Sequence, residues 1–151
     1  MSFEAIFPAQ LPEVLAAGER SRVVVDDALR CLRESCTGAG PIGQLVTWAW
    51  TVDADRTHTL LVHHARYGHW MPAGGRCGWE GLPSAAAVRE LHEESGLTGT
   101  LLDPHPLLLD VVLDDLDGVR ARAFGMAFVV VADRNAALTA EPDQPVAWFP
   151  L

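Results

Sequence analysis

The chain has 151 residues, 49% of them hydrophobic, so it is long enough to bury the core of a single globular domain. Its formal net charge of −9 disfavours a broad surface for duplex nucleic acid, because the phosphate backbone would be repelled. No apolar run approaches the roughly eighteen residues of a membrane span, the N-terminus lacks a basic segment, and the cysteines show no metal-binding spacing. These features predict a cytoplasmic protein with reduced thiols and no membrane partner.

The first predicted element is helical and precedes the main domain. Apolar residues recur there with the spacing of a helix, and glycines follow them: Leu11, Val14, Leu15, Val25, Ala28, Leu29 and Leu32. We therefore expect residues 1–40 to form a helical segment packed on a core domain of residues 41–151.

Strands are predicted in both halves of the core domain. The segments rich in β-branched and aromatic residues are 44–52, 57–64, 107–113, 119–131 and 146–149. The first two flank the turn-like Asp53-Ala54-Asp55 and predict a hairpin. The third and fourth flank Asp117-Gly118, a strong turn signal, and predict a second pair.

The run from His63 to Gly75 is rich in histidine and aromatic residues. A zinc site is disfavoured, because the histidine spacing lacks ligand geometry and strand alternation sends His63 and His64 to opposite faces. Trp70 is interpreted as a packing residue or as a surface on which a substrate ring stacks. His69 is either an exposed loop residue or a phosphate contact.

A helix is predicted after this run. Ser84 is a candidate N-cap, because it precedes the strong helix formers Ala85, Ala86 and Ala87. Gly96 supplies the left-handed conformation that ends many helices.

The predicted helix carries an acidic cluster. Residues three and four apart share one face of a helix, so Glu90, Glu93 and Glu94 project their carboxylates together. These like charges repel one another and need a cation. Carboxylate oxygens favour Mg²⁺, Mn²⁺ or Ca²⁺ over zinc. On the glutamates alone, a solvated acidic face is the alternative.

The stretch from Gly75 to Leu97 resembles the box of the Nudix hydrolases, G-x5-E-x7-R-E-U-x-E-E-x-G-U, in which U is a bulky aliphatic residue. The matching positions are Gly75, Arg89, Glu90, Leu91, Glu93, Glu94, Gly96 and Leu97. The box asks for glutamate where this chain has Gly81, with Glu80 immediately before it. The resemblance extends from about residue 44 to residue 151. It implies an α/β fold, an α/β/α sandwich with a mixed sheet and the box helix.

The resemblance also implies an activity and its site. The expected reaction is hydrolysis of the diphosphate bond in a nucleoside diphosphate linked to another moiety, with Mg²⁺ or Mn²⁺ as cofactor. The implied metal-binding residues are Gly74, Glu90, Glu93 and Glu94, while Arg89 holds a glutamate in place. The absent box glutamate is mainly structural in the family, and Glu80 is the candidate to replace it.

The family further implies a carboxylate from the loop before the last strand, as a metal ligand or general base. Glu141 is the first candidate and Asp143 the second, while Glu93 is an alternative base within the box. Rival carboxylates from the second hairpin are Asp114, Asp115 and Asp117. The arginines that could contact phosphate, with none clearly ahead, are Arg66, Arg76, Arg120 and Arg122. The expected substrate-binding residues are Arg76, Trp70 and His69.

Two other functions remain open at this point. The departure at Gly81 is compatible with a Nudix-fold module that binds nucleotides or regulates without turnover, although the metal positions are intact. An isomerase acting on a prenyl diphosphate shares the fold but needs a catalytic cysteine, for which Cys77 is the only nearby thiol. The sequence does not specify the diphosphate substrate, and it leaves a homodimer open.

Overall fold

The computed structural model describes residues 43–77, 82–116 and 119–151, with backbone alone for 43–45 and 108–123. The predicted helical segment of residues 1–40 lies outside the described residues. The same holds for Glu80 and Gly81, on which the departure from the box depends.

The described residues form eight strands and one helix, which lies between the fourth and fifth strands. Its elements are β1 (Gly43–Val52), β2 (His58–His64), β3 (His69–Met71), β4 (Ala73–Arg76), α1 (Pro83–Ser95), β5 (Gly99–Leu101), β6 (Leu108–Leu116), β7 (Val119–Ala132) and β8 (Val146–Pro150). All five predicted strands are confirmed, whereas β3, β4 and β5 were not predicted. No helix in the described ranges is both long and apolar enough to cross a membrane.

The strands of the described chain form one mixed sheet around the parallel pair β1 and β7. The other edge of β1 is shared, because β4 pairs antiparallel with its first half and β2 with its last two residues. The far edge of β7 is likewise shared by β6 and β5, both antiparallel. Strands β3 and β8 then pair with β2. Both predicted hairpins and the mixed sheet are therefore confirmed.

Helix α1 covers one face of this sheet and closes the core. Ala87 and Leu91, four residues apart on one face of the helix, are fully buried. They belong to a cluster with side chains from the sheet, among them Ala49, Leu60, Val62, Phe124, Met126, Phe128 and Val130. The acidic residues of α1 therefore lie on a helix that the hydrophobic core holds against the sheet.

The two ends of α1 differ in how well the sequence predicts them. The helix begins at Pro83 with Leu82 as the N-cap and no side-chain cap, so the assignment of Ser84 as N-cap is wrong. Proline is favoured in the first turn because its missing N–H needs no partner there. Gly96 ends the helix as predicted, with φ of 73° and its N–H bonded to the His92 carbonyl.

The turn between β1 and β2 is organised by Asp53. Its Oδ1 accepts hydrogen bonds from the backbone N–H of Thr57 at 2.7 Å and of His58 at 3.0 Å, and its Oδ2 accepts one from the Thr57 hydroxyl at 2.9 Å. Burial raises the pKa of this carboxyl, but these hydrogen bonds and Arg134 outweigh burial and lower the pKa to about 2. Asp53 is therefore a carboxylate anion, and in that form it stabilises the hairpin.

Trp48 lies flat on the sheet face opposite α1. A Cβ atom added at Gly74 would lie 2.6 Å from the Trp48 ring, and one added at Gly125 would lie 1.9 Å from it. Real Cβ atoms do not approach rings so closely, so both neighbouring strands need glycine beneath the indole. This indole therefore links β4 to β7 across β1.

We expect Gly125→Ala to lower the free energy of unfolding by about 1–3 kcal/mol, because the added methyl group forces Trp48 off the sheet. Chemical denaturation measures the effect. The double variant with Trp48→Leu should lose less stability than the two single changes predict when added. Strict additivity would show that the indole does not rest on Gly125.

Candidate active site

The acidic face of α1 approaches β4 where that strand has no side chains. The Gly74 N–H donates to Glu94 Oε2 at 3.0 Å. A Cβ atom at Gly75 would lie 2.5 Å from the Glu90 carboxylate, so this position also requires glycine. The Gly-Gly pair thus lets two carboxylates of the helix lie directly against the strand backbone.

Arg89 binds one carboxylate oxygen of Glu90 and one of Glu93, and it also connects the helix to the end of β4. Its Nη1 lies 2.6 Å from Glu93 Oε2, and its Nη2 lies 2.6 Å from Glu90 Oε1. Nη2 also donates to the Arg76 carbonyl at 3.2 Å. The expected bracing of a glutamate by Arg89 is therefore present for Glu90 and Glu93.

The cluster is electrostatically strained. The pKa of Glu94 is raised to about 7, chiefly by burial and further by the carboxylates of Glu90, Glu141 and Glu93, with the Gly74 N–H offsetting part of the rise. Burial also raises the pKa of Glu90, while Arg89 lowers it. Near neutral pH, Glu94 is thus on the border between carboxylate and acid.

Glu141 lies in the loop before β8. Its negative charge is among the smaller causes that raise the pKa of Glu90 and Glu94. Glu141 is exposed, and Gln144 Nε2 donates to its Oε2 at 2.6 Å. The rival Asp143 occupies the same turn with a positive φ of 65°.

Within the described ranges, no three carboxylate, imidazole or thiolate side chains form a ready set of metal ligands. The contacts explain this, because Glu93 and Glu90 bind Arg89 and Glu94 binds the Gly74 N–H. The donor chemistry nevertheless fits a hard cation. Mg²⁺ commonly uses one or two carboxylates together with water and substrate phosphates, and the mutual repulsion of Glu90, Glu94 and Glu141 favours it.

Trp70 does not join the glutamate cluster. It pairs with His63 across β2 and β3, on the sheet face opposite α1. Its ring packs edge-on against Phe149 with centroids 4.9 Å apart and against His63 at 5.3 Å, and the residue remains 39% exposed. The packing interpretation of Trp70 is thus realised, and its exposed edge leaves stacking open.

The other expected substrate contacts lie on the strands that precede α1. His69 begins β3, with its Nδ1 3.0 Å from the Tyr67 carbonyl oxygen. Arg76 ends β4, is exposed, and gives its carbonyl to Arg89. Arg66 lies in the β2–β3 turn, with its guanidinium 5.6 Å from the Tyr67 ring centroid.

Several alternatives fall outside the described atoms. They are the side chains of Asp114, Asp115, Arg120 and Arg122, and all of Asp117. Cys77, by contrast, is described, and burial together with Glu90 raises the pKa of its thiol to about 12. A thiol so firmly protonated is a poor nucleophile, which disfavours the isomerase alternative.

Two residues at the site were missed by sequence reasoning. Gln144 contacts Glu141, and the turn signal Glu141-Pro142-Asp143-Gln144 could have suggested that these residues are close. The fully buried Thr47 hydroxyl lies 3.1 Å from the Pro83 carbonyl oxygen and 3.2 Å from that of Met126. It anchors the start of α1 to the sheet, and no local pattern in the sequence reveals it.

The raised pKa of Glu94 predicts how stability depends on pH. The ordinary pKa of 4.5 rises to about 7 on folding, so the metal-free protein loses stability as pH rises between these values. We expect Glu94→Gln to raise the free energy of unfolding at pH 8 by on the order of 1–3 kcal/mol. Denaturation with a chelator present, at pH 5 and pH 8, measures it. The matched Glu93→Gln should show no such gain, and an equal gain in both variants would contradict the assignment.

Comparisons with known proteins agree with this fold. A family model described as the NUDIX domain matches residues 44–151. A crystal structure of a NUDIX-family hydrolase from Clostridium perfringens is similar over 71% of this chain and 81% of its own, with 20% identity and a TM-score of 0.55. A structure from a study of MutT from Aliivibrio salmonicida and Vibrio cholerae covers 72% of this chain and 80% of its own, with 18% identity and a TM-score of 0.45. No curated protein matches at a significant level. Because the family model spans most of the chain, this protein belongs to the Nudix hydrolase family.

Proposed function

We propose that the chain is a metal-dependent pyrophosphohydrolase that cleaves the diphosphate bond of a nucleoside diphosphate linked to another moiety. The observation that carries this proposal is the arrangement of Glu90 and Glu94 against the glycines of β4. Their carboxylates are crowded and partly buried. Arg89 offsets the charge of Glu90 but not that of Glu94. Such a cluster is suited to a divalent cation and, through it, to an anionic diphosphate.

Glu90, Glu93 and Glu94 would hold Mg²⁺ or Mn²⁺, and the backbone of Gly74 lies beside them. When bound, the cation neutralises the diphosphate and makes a bound water more acidic. Neighbouring residues of the chain orient the three glutamates. Gly74 orients Glu94 through its N–H, and Arg89 orients Glu90 and Glu93 by bridging the two carboxylates with one hydrogen bond to each, as a clamp. Because Arg89 also grips the Arg76 carbonyl, the clamp keeps α1 in register with β4.

Glu141 is the proposed general base. In the reaction a water oxygen forms a bond to phosphorus, the bridging P–O bond breaks, and the water proton passes to a carboxylate. Glu141 suits this role because its carboxylate is exposed and raises the pKa of Glu94, and because Arg89 binds Glu90 and Glu93 instead. Glu93 is the alternative base, although in this arrangement Arg89 holds its carboxylate.

Substrate recognition is assigned to Arg76, His69 and Trp70, which lie on the strands before α1. Arg76 is the proposed phosphate contact, since its backbone already belongs to the clamp. His69 and the exposed edge of Trp70 are proposed to contact the nucleoside or its linked group. A small-molecule partner suits the acidic chain, and a cytoplasmic location stays a prediction from the sequence.

A substrate panel tests the function. Nucleotide sugars, ADP-ribose, dinucleotide polyphosphates and nucleoside triphosphates would be incubated with Mg²⁺ or Mn²⁺, and phosphate and nucleotide products followed. We expect hydrolysis of at least one diphosphate-linked nucleoside, and none with a chelator. Binding without turnover across the panel would instead favour the non-catalytic module.

We expect Glu94→Gln to weaken Mn²⁺ binding and to reduce turnover by on the order of a hundredfold or more, because a central carboxylate is lost. Titration calorimetry with Mn²⁺ measures the affinity, and Glu93→Gln is expected to behave similarly. Asn135→Ala, which removes a side chain in the loop after β7, is the control and should bind Mn²⁺ like the wild type. Unchanged affinity in both glutamine variants would remove the metal site.

We expect Glu141→Gln to slow hydrolysis at least about tenfold at saturating metal, because the amide cannot accept the water proton. Its thermal stability should stay within about 1 kcal/mol of wild type, as for other exposed side chains. A rate profile against pH that loses its acidic limb would support the role. A wild-type rate in this variant would direct the search for the base to Glu93 or Asp143.

A further inference from the structure

The turn that carries Glu141 has an unusual construction. Glu141 and Gln144 form an isolated antiparallel bridge, and the Gln144 N–H donates to the Glu141 carbonyl at 3.1 Å. Pro142 and Asp143 occupy the two central positions, where Asp143 adopts a positive φ of 65°. Proline followed by a left-handed residue is typical of a tight type II turn, although glycine or asparagine is usual at the second position. The chain accepts this backbone strain and places Glu141 and Gln144 side by side.

The Gln144 side chain bridges two distant segments. Its Nε2 donates to Glu141 Oε2 at 2.6 Å, and its Oε1 accepts a hydrogen bond from the Ala65 N–H at 3.3 Å. Ala65 directly follows β2, at the beginning of the turn that leads into β3. The backbone beside it is fixed as well, because the His63 N–H donates to the Pro145 carbonyl at 2.8 Å.

The two contacts require an amide. A carboxylate such as that of Glu141 only accepts hydrogen bonds, and a backbone N–H only donates them. A primary amide offers a donor to the first and an acceptor to the second, so its orientation is fixed by both partners. Glutamate at this position would keep the acceptor but repel Glu141, and alanine would lose both contacts. The residue type is therefore matched to the bridge.

Without such a bridge, nothing among the described contacts would fix the Glu141 carboxylate. The side chain is exposed, and a free glutamate samples many rotamers. Catalytic groups lose much of their effect when they are not held in the reactive geometry. An exposed base therefore needs a neighbour that limits its motion while leaving one of its oxygens available.

We propose that Gln144 is a positioning residue that limits the motion of the Glu141 carboxylate and fixes its orientation relative to the backbone of the β2–β3 turn. The inference rests on the proposed function of Glu141 as the base. It adds that the base is aligned through the turn that leads into β3, the strand of His69 and Trp70, so the strand proposed to bind substrate and the proton acceptor are joined by one side chain.

The kinetic test compares Gln144→Ala and Gln144→Glu with Glu141→Gln on the substrate found in the panel. We expect both Gln144 variants to lower kcat by roughly tenfold, with KM within about twofold of wild type. The glutamate variant should be at least as slow as the alanine variant despite its matched shape. Thermal midpoints should stay close to wild type. Asn135→Ala removes another side-chain amide, six residues before Glu141 in the same loop, and should not change kcat.

The contact itself is tested by nuclear magnetic resonance on the full chain. In the wild type, the Gln144 Nε2 proton that faces Glu141 should have a shifted resonance and exchange slowly with solvent, and Glu141→Ala should return both its chemical shift and its exchange rate to those of an exposed amide. Signals insensitive to Glu141→Ala would overturn the proposal, as would a wild-type kcat in Gln144→Ala when Glu141→Gln is slow. If the wild type hydrolyses nothing in the panel, the proposed function fails, and the catalytic role of Gln144 fails with it.

Discussion

The close approach of α1 to β4 is the constraint on which the site depends. Two carboxylates of the helix lie against Gly74 and Gly75, where a Cβ atom would collide with Trp48 in one case and with Glu90 in the other. Strand β4 is in turn held on β1, which is held by the parallel partner β7. The parallel pair therefore sets the distance between the glycines and the glutamates. Thr47 extends this control, because its hydroxyl lies between the start of α1 and β7.

The sequence predicts the parts of this arrangement that have a local physical cause. The longer strands are rich in β-branched residues, and Gly96 ends the helix because it adopts a left-handed conformation. Strand β4 escapes prediction because Ala-Gly-Gly-Arg has little strand propensity of its own. Its pairing with β1 makes it a strand. Similarly, Ser84 has the right chemistry for an N-cap, but the helix begins at Pro83, two residues before the start that a cap at Ser84 would give.

For the site, too, the sequence predicts some features and not others. Helical spacing predicts that Glu90, Glu93 and Glu94 cluster, and the fold places their carboxylates within mutual electrostatic influence. Spacing places Glu93 four residues after Arg89, but it does not reveal that the same guanidinium also binds Glu90. It cannot reveal that Gln144 reaches Ala65, because that contact joins segments far apart in sequence. Trp70 illustrates a different limit. Alternation along β3 assigns it a face, but only tertiary structure shows that this face lies opposite α1.

The glutamates also differ in how each is compensated before any cation binds. Glu93 and Glu90 share the guanidinium of Arg89, whereas Glu94 has only the Gly74 N–H and a raised pKa. Arg89 and partial protonation of Glu94 near neutral pH therefore reduce the repulsion within the cluster. This makes a cluster of like charges compatible with a stable fold. On the proposed function, a cation that binds here would displace that proton and compete with Arg89, so its affinity would reflect a competition within the protein as well as the ligands themselves.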